Sequence, residues 1–173
     1  SPLVLKQDFD YFEKLSRIKE LDIKDYSAKL NSYDNKILDR LNYTAKLTPW
    51  LKEGMTQEIL DYNRIGFYPG GDVITIPHYD INGEFVGLRG RSLVRDEAEK
   101  YGKYRPVRIG KQLYNHPLGF NLYNLNNSKQ QITKIKKAII FEGEKSCLLY
   151  QSYFKKENDI SVACCGSAVS AWQ

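Results

Sequence analysis

Residues 138 to 150 read Ala138-Ile139-Ile140-Phe141-Glu142-Gly143-Glu144-Lys145-Ser146-Cys147-Leu148-Leu149-Tyr150. Past a charged turn the chain continues Ile160-Ser161-Val162-Ala163-Cys164-Cys165-Gly166. The first apolar run predicts a buried strand over 137 to 141 and the second a strand over 160 to 164. Residues 146 to 154 between them predict a helix with Cys147, Leu148, Leu149 and Tyr150 on its inner surface. Strand, helix and strand in this order make a βαβ unit with a parallel pair. In parallel sheets ligands gather beyond the carboxyl ends of strands, which is where Glu142 falls. Gly143 is read as allowing a tight turn that leaves the carboxylate uncovered. A carboxylate so placed can bind Mg²⁺ or move a proton. Glu144 reads as an acid at a helix N-terminus, favoured by the dipole.

Upstream, Asn82-Gly83 signals a hairpin. Its first strand covers Val73 to Ile76 and is expected to stop near Pro77. Its second covers 84 to 93, with Val86 and Leu88 on one face and Arg89 and Arg91 on the other. Gly87 and Gly90 are expected to let a backbone or ligand come close. Residues 103 to 106 read as extended, because Arg105 precedes a proline. Lys103 and Arg105 would then repeat the pattern of Arg89 and Arg91. Residues 66 to 71 read as loop, 96 to 100 as short helix or loop, and 126 to 134 as helix. Thr48-Pro49 starts a short helix that Gly54 stops, and Thr56 caps the next. Residues 8 to 47 read as helical, with Phe9, Phe12, Leu15, Ile18 and Leu21 on one face. A second helical stretch runs through Ile37, Leu38, Leu41 and Leu47. Asp8-Phe9-Asp10 reads as helix surface. The expected class is α+β: a helical segment over 1–48, a small mixed β subdomain over 49–135, and a partial α/β unit over 136–173.

The 173 residues fit one compact domain or a domain with a small appendage. With 42% hydrophobic and 27% charged residues, disorder and fibrous structure are excluded. No apolar run approaches the ~20 residues that span a bilayer. No signal peptide is visible, and the missing initiator Met predicts a fragment or a processed chain. Cys147, Cys164 and Cys165 cannot build a disulfide framework. Without a Cys-x-x-Cys, and with His78 and His116 as the only histidines, no zinc module is expected. A reducing cytoplasm fits this usage. Both histidines are expected in ordinary surface roles, and Cys164 and Cys165 at the end of a buried strand. Between Gly87 and Lys111 eight cations face three anions, while the rest of the chain balances at 18 against 18. Such a local basic field suits a polyanion, or it is a solvated surface loop.

Four segments in order resemble the catalytic core of DnaG-type primases, in the variety of phages and mobile elements. Trp50-Leu51 with Ile59 and Ile65-Gly66-Phe67 resembles the family's short helical pair and following glycine. Ile74-Thr75-Ile76-Pro77 through Gly87-Leu88-Arg89-Gly90-Arg91 resembles its Pro- and Gly-marked strand pair. Gly102-Lys103-Tyr104 and Leu122-Tyr123 resemble its next two signatures. Phe141-Glu142-Gly143-Glu144-Lys145 resembles the first motif of a TOPRIM domain, and Val162-Ala163 with Gly166 and Gln173 its second strand and turn. The resemblance runs from about Trp50 to the end. It implies an enzyme that makes RNA primers on a single-stranded DNA template from nucleoside triphosphates. The implied active site lies in a groove between a basic subdomain and a TOPRIM subdomain. It implies Glu142 as catalytic and metal-binding carboxylate, with Mg or Mn as cofactor, and Lys103 as a catalytic cation. Arg89, Arg91, Tyr104 and Arg105 are the implied nucleic-acid and nucleotide contacts. A replicative helicase is a further implied partner.

The sequence departs from the family in three places. No Asp-x-Asp follows Glu142 before Gln173, Leu118 stands where a lysine often precedes the glycine, and the zinc-binding module is absent. The expectation is therefore the first half of a catalytic core, ending inside TOPRIM and inactive by itself. A non-catalytic nucleic-acid-binding module with a TOPRIM-like half remains the alternative. A TOPRIM nuclease or topoisomerase would share Glu142 but not the run from Arg89 to Tyr123.

Overall fold

The computed structural model describes residues 30–41, 44–170 and 173. The amphipathic pattern of Phe9 to Leu21 and the Asp8-Phe9-Asp10 reading lie outside these residues. The stretch through Ile37 to Leu47 is realised as two 3₁₀-helical turns, Asn35–Arg40 and Thr44–Leu47, rather than a long α-helix. Two short helices follow, α1 (Thr48–Lys52) and α2 (Gln57–Tyr62). Pro49 sits in the first turn of α1, where its missing N–H costs nothing. Gly54, at φ +103°, lies just beyond that helix. Thr56 caps α2, its hydroxyl accepting from the Ile59 amide at 3.4 Å.

Five antiparallel strands then form a meander: β1 (Gly66–Tyr68), β2 (Val73–Tyr79), β3 (Phe85–Ser92), β4 (Tyr104–Ile109) and β5 (Gln112–Tyr114). Helix α3 (Arg95–Tyr101) bridges β3 and β4. Two expectations are corrected here. Residues 66 to 68 form a strand instead of loop, because Gly66 packs directly on the Leu41 carbonyl, which also accepts from the Phe67 amide at 2.6 Å. Strand β2 runs on through Pro77 to Tyr79. Its pairing with β1 ends at Thr75, so the edge at Pro77 has no β1 ladder to lose. The Asn82-Gly83 turn forms, organised by Asp80, whose carboxylate accepts from the Asn82 and Glu84 amides at 2.8 and 2.9 Å. A bulge where β3 leaves this turn places Tyr79 opposite Phe85 and His78 opposite Gly87.

The last part of the chain is α4 (Leu125–Ile135), β6 (Ile139–Phe141), α5 (Glu144–Phe154) and β7 (Ser161–Ala163). Strands β6 and β7 pair in parallel across α5, as the sequence predicts. Strand β7 is buried because it has neighbours on both sides: β6 on one, and on the other a bridge from Tyr123, whose amide and carbonyl bond Ala163. Among the described residues strand β6 pairs with β7 alone. The expected burial of its apolar run is not met, and Ile140 is 52% exposed.

Side-chain alternation divides the meander into two faces. Val73, Leu88 and Val107 point outward to a core with Leu38, Leu41 and Phe85. Ile74 and Ile76 point inward to a second core that takes Leu47, Trp50, Ile59 and Leu60 from the first part of the chain. The same core takes Tyr123, Cys147, Leu148 and Ala163 from the last part. A buried polar network crosses the same junction. Asn63 donates to Gln151 at 2.6 Å, Gln151 donates to Asn124 and Asp159, and Asp159 accepts from the Ser161 amide at 2.9 Å. Each member has partners, so this network orients the βαβ unit without leaving orphaned polar groups. No helix of the described residues is long and apolar enough to cross a membrane. Cys147, Cys164 and Cys165 are free thiols.

Candidate functional site

The carboxyl end of β6 opens into a pocket of about 340 Å³ at the junction of the meander and the βαβ unit. It is lined by Arg89, Tyr104, Glu142, Lys145, Ser146 and Cys165, with Gly143, Glu144 and Gly166 completing the wall. Glu142 is exposed at its mouth. The turn after it needs no special backbone: Gly143 has φ −133° and ψ 159°, and a Cβ there would meet nothing. The expected conformational reason for Gly143 is therefore absent.

Opposite Glu142, β3 and β4 supply a cationic wall built around one ring. In the antiparallel register Arg91 faces Tyr104 and Arg89 faces Pro106, so these side chains share the inner face. The guanidinium carbons of Arg89 and Arg91 each stand 5.5 Å from the centre of the Tyr104 ring. Burial raises the Tyr104 hydroxyl pKa, and the nearby Glu144 carboxylate raises it further, against the opposing pull of Arg91 and Arg89.

Arg105 goes elsewhere. It is registered with Gly90, and so projects on the outer face, where it pairs with Glu97 and lines a separate groove beside Tyr68 and Val107. The expected repetition of the Arg89 and Arg91 pattern by Lys103 and Arg105 on one wall is corrected by this register. Lys103 is exposed and lies outside the pocket lining; its carbonyl accepts from the Ser92 amide at 3.0 Å. Gly87 and Gly90 do make room, but for the protein's own side chains. A Cβ on Gly87 would overlap the His116 imidazole, and one on Gly90 would press on Val107 and Val73.

Behind the pocket lies a buried cluster. Glu144 opens α5, as its place in the sequence predicts, and is 2% exposed. Its Oε1 accepts from His78 Nε2 at 3.0 Å and from Arg89 Nη1 at 2.7 Å. Burial by itself would raise its pKa; the His78 hydrogen bond and the charges of His78 and Arg89 outweigh it and hold the carboxyl at about 2. His78 and His116, expected at the surface, are 1% and 5% exposed. Their rings lie 4.8 Å apart, and Tyr123 packs on His78 at 5.0 Å. Burial, then the charges of His78 and Arg89, pulls His116 down to about 3, so it is neutral at ordinary pH. Burial and the Glu144 carboxylate together push the Cys165 thiol up, which makes it an unreactive neighbour rather than a nucleophile. The one available signal for this cluster is that His78 falls on the same face of β2 as Ile74 and Ile76, a face that is fully buried.

No protein-family model matches the chain. The SPbeta prophage-derived uncharacterized protein YorJ of Bacillus subtilis (strain 168) is 36% identical over 169 residues. The match takes in 96% of this chain and 43% of YorJ. Among solved structures, the zinc-binding and RNA polymerase domains of the Aquifex aeolicus primase superpose with a TM-score of 0.64 at 19% identity, over 80% of this chain and 42% of that one. A primase domain from Pseudomonas aeruginosa gives 0.61 at 17% identity, over 79% and 54%. A DnaG primase catalytic domain bound to single-stranded DNA gives 0.60 at 17% identity, over 80% and 54%. The chain has the fold of part of the DnaG primase catalytic core, and it spans about half the length of the proteins it matches.

Proposed function

We propose that the chain is the template- and nucleotide-binding part of a primase, an enzyme that joins ribonucleoside triphosphates on single-stranded DNA during replication of a phage or mobile element. The observation that carries this reading is one pocket lined by an exposed strand-end carboxylate, Glu142, and by Arg89 and Tyr104, with Arg91 beside the Tyr104 ring. Nucleotidyl transfer needs phosphates held in line and developing charge neutralised, and requires little covalent chemistry of the protein. Arg91 would hold the template backbone or the triphosphate, and exposed Lys103, outside the pocket lining, would join it only on a longer stretch of nucleic acid. The Tyr104 face offers a stacking surface for a base. Lys145, beside Glu142 and paired with Glu53, adds a second cation to the floor. Magnesium or manganese would find Glu142 as its carboxylate here and supply neutralisation of phosphate charge; such ions take one or two carboxylates plus phosphate oxygens and water. Arg105, on the outer face, belongs to this site only if the nucleic acid wraps the sheet edge.

A second reading, a nucleic-acid-binding module without catalysis, is favoured by one feature. The other carboxylate lining the pocket, Glu144, already serves His78 and Arg89, so Glu142 stands alone as a metal ligand there. The test is primer synthesis on single-stranded template with Mg²⁺ or Mn²⁺, in this chain and in its whole gene product. The whole product should prime, Glu142→Gln should abolish synthesis, and DNA binding should persist. DNA binding with no synthesis by the whole product would establish the second reading. Synthesis by Glu142→Gln at the wild-type rate would remove Glu142 from the site. Association with a replicative helicase and a cytoplasmic location accord with this role.

A further inference from the structure

We propose that Glu144 is a positioning residue, clamped by His78 and Arg89, that fixes the turn carrying Glu142. The inference rests on Glu142 being the functional carboxylate of the proposed function. Three elements meet at one oxygen: His78 from β2, Arg89 from β3 and Glu144 from the first residue of α5. A helix-dipole role does not by itself explain this arrangement, since an acid at a helix N-terminus gains that benefit without two buried partners from other strands. Burying a carboxylate is costly unless its partners are well placed, and packing alone would be served by an apolar residue. Cys147 and Leu148 already anchor the same helix to the core.

The carboxylate adds direction to that anchorage. Gly143 is in an ordinary extended conformation with open space around it, so no side-chain packing restrains the turn from Glu142 into α5 there. Backbone bonds tie it at Phe141, whose carbonyl accepts from the Cys164 amide at 3.1 Å, and at the Gly143 carbonyl, which accepts from the Ser146 amide at 3.2 Å; Glu144 supplies the buried side-chain anchor on the exit side. The clamp also redefines Arg89. Its side chain is 14% exposed and its guanidinium is bonded to Glu144, so it shapes the pocket wall more than it offers free charge. The side-chain atoms of His78, Glu144 and Cys165 lie within 4.8 Å of one another, a spacing that a metal ion could use. Arg89 on the same Glu144 oxygen opposes a second cation there, and so the geometry points to a clamp.

Hydrogen exchange of the 173-residue chain tests the clamp without any activity. In Glu144→Gln, and separately in Arg89→Gln, the amides of residues 142 to 146 should exchange about tenfold faster, while those of β2 and β3 keep their protection. Unchanged exchange at 142 to 146 in both variants overturns the proposal. Should one variant lose protection throughout, the other decides. Mn²⁺ binding then reads the consequence. Groups that orient a ligand change metal affinity by about ten- to a hundredfold, and Glu144→Gln should weaken Mn²⁺ within that range. Mn²⁺ binding unchanged in Glu144→Gln but abolished in Glu142→Gln would overturn the positioning role. Binding abolished in Cys165→Ser and kept in Glu142→Gln would place the ion at the buried cluster and also overturn it. If the wild-type chain and its whole gene product neither bind Mn²⁺ nor prime, the proposed function fails, and the exchange result still decides the clamp.

Discussion

Strands β2 and β6 each carry a pair of isoleucines and live in opposite surroundings. Ile74 and Ile76 of β2 are completely buried, whereas Ile139 and Ile140 of β6 are 36% and 52% exposed. Strand β2 has β1 and β3 beside it, with helices and the βαβ unit over its inner face. Among the described residues strand β6 pairs with β7 alone, and its apolar run is of the kind found in strands covered on both faces. An apolar run thus specifies a strand, while the neighbours decide burial. The pocket lies where these two regions meet, taking Arg89 and Tyr104 from the first and Glu142 with Lys145 from the second.

The largest contrast should come from that pair. Ile76→Ala should destabilise the chain by about 2–5 kcal/mol in denaturant unfolding, through reduced burial and a residual cavity. Ile140→Ala should stay within about 0.5 kcal/mol. Equal effects would mean that β6 is covered as well as β2. The glycines give the next contrast. Gly66→Ala drives a methyl into the Leu41 carbonyl and should cost about 1–3 kcal/mol. Gly143→Ala, in an extended conformation with open space, should be neutral or stabilise by up to about 1 kcal/mol.

A smaller effect is expected from pH. His116 titrates near 3 when folded and near 6.5 when unfolded, so below 6.5 the unfolded chain binds the extra proton. Its contribution to stability is present above 6.5 and is lost as pH falls toward 3. Glu144, held at about 2, keeps its contribution above 4.5 and loses it only below that. Between pH 4.5 and 6.5 stability should therefore rise with pH, by at most about 1.4 kcal/mol per unit from this group. His116→Asn should flatten that rise. The same slope in the variant would assign it to another group.

Much of this architecture could be read directly from the sequence. The βαβ order, the Asn82-Gly83 hairpin and the shared face of Arg89 and Arg91, opposite Leu88, follow from alternation and turn chemistry, which are local. The position of Glu142 at a strand end follows from the same logic. What could not be read depends on pairing partners far along the chain. Strand β1 exists because residue 41 reaches Gly66. Arg105 takes the outer face because β4 registers it with Gly90, a slip of one residue from the arrangement that Lys103 and Arg105 alone suggest. The burial of His78, His116 and Glu144 joins residues 66 apart, with no local signal beyond the parity of His78 on β2.

The two faces of the meander make the most direct test of where nucleic acid binds. Affinity for single-stranded DNA should be measured against salt for the wild-type chain, Arg91→Glu and Arg105→Glu. The magnitude of the log–log slope falls by about 0.7 for each phosphate that the protein no longer neutralises. Arg91→Glu should weaken binding and flatten the slope, while Arg105→Glu, on the outer face, should leave the slope near wild type. A slope flattened by Arg105→Glu and unaffected by Arg91→Glu would place the nucleic acid on the outer face, away from Glu142, and would contradict this site.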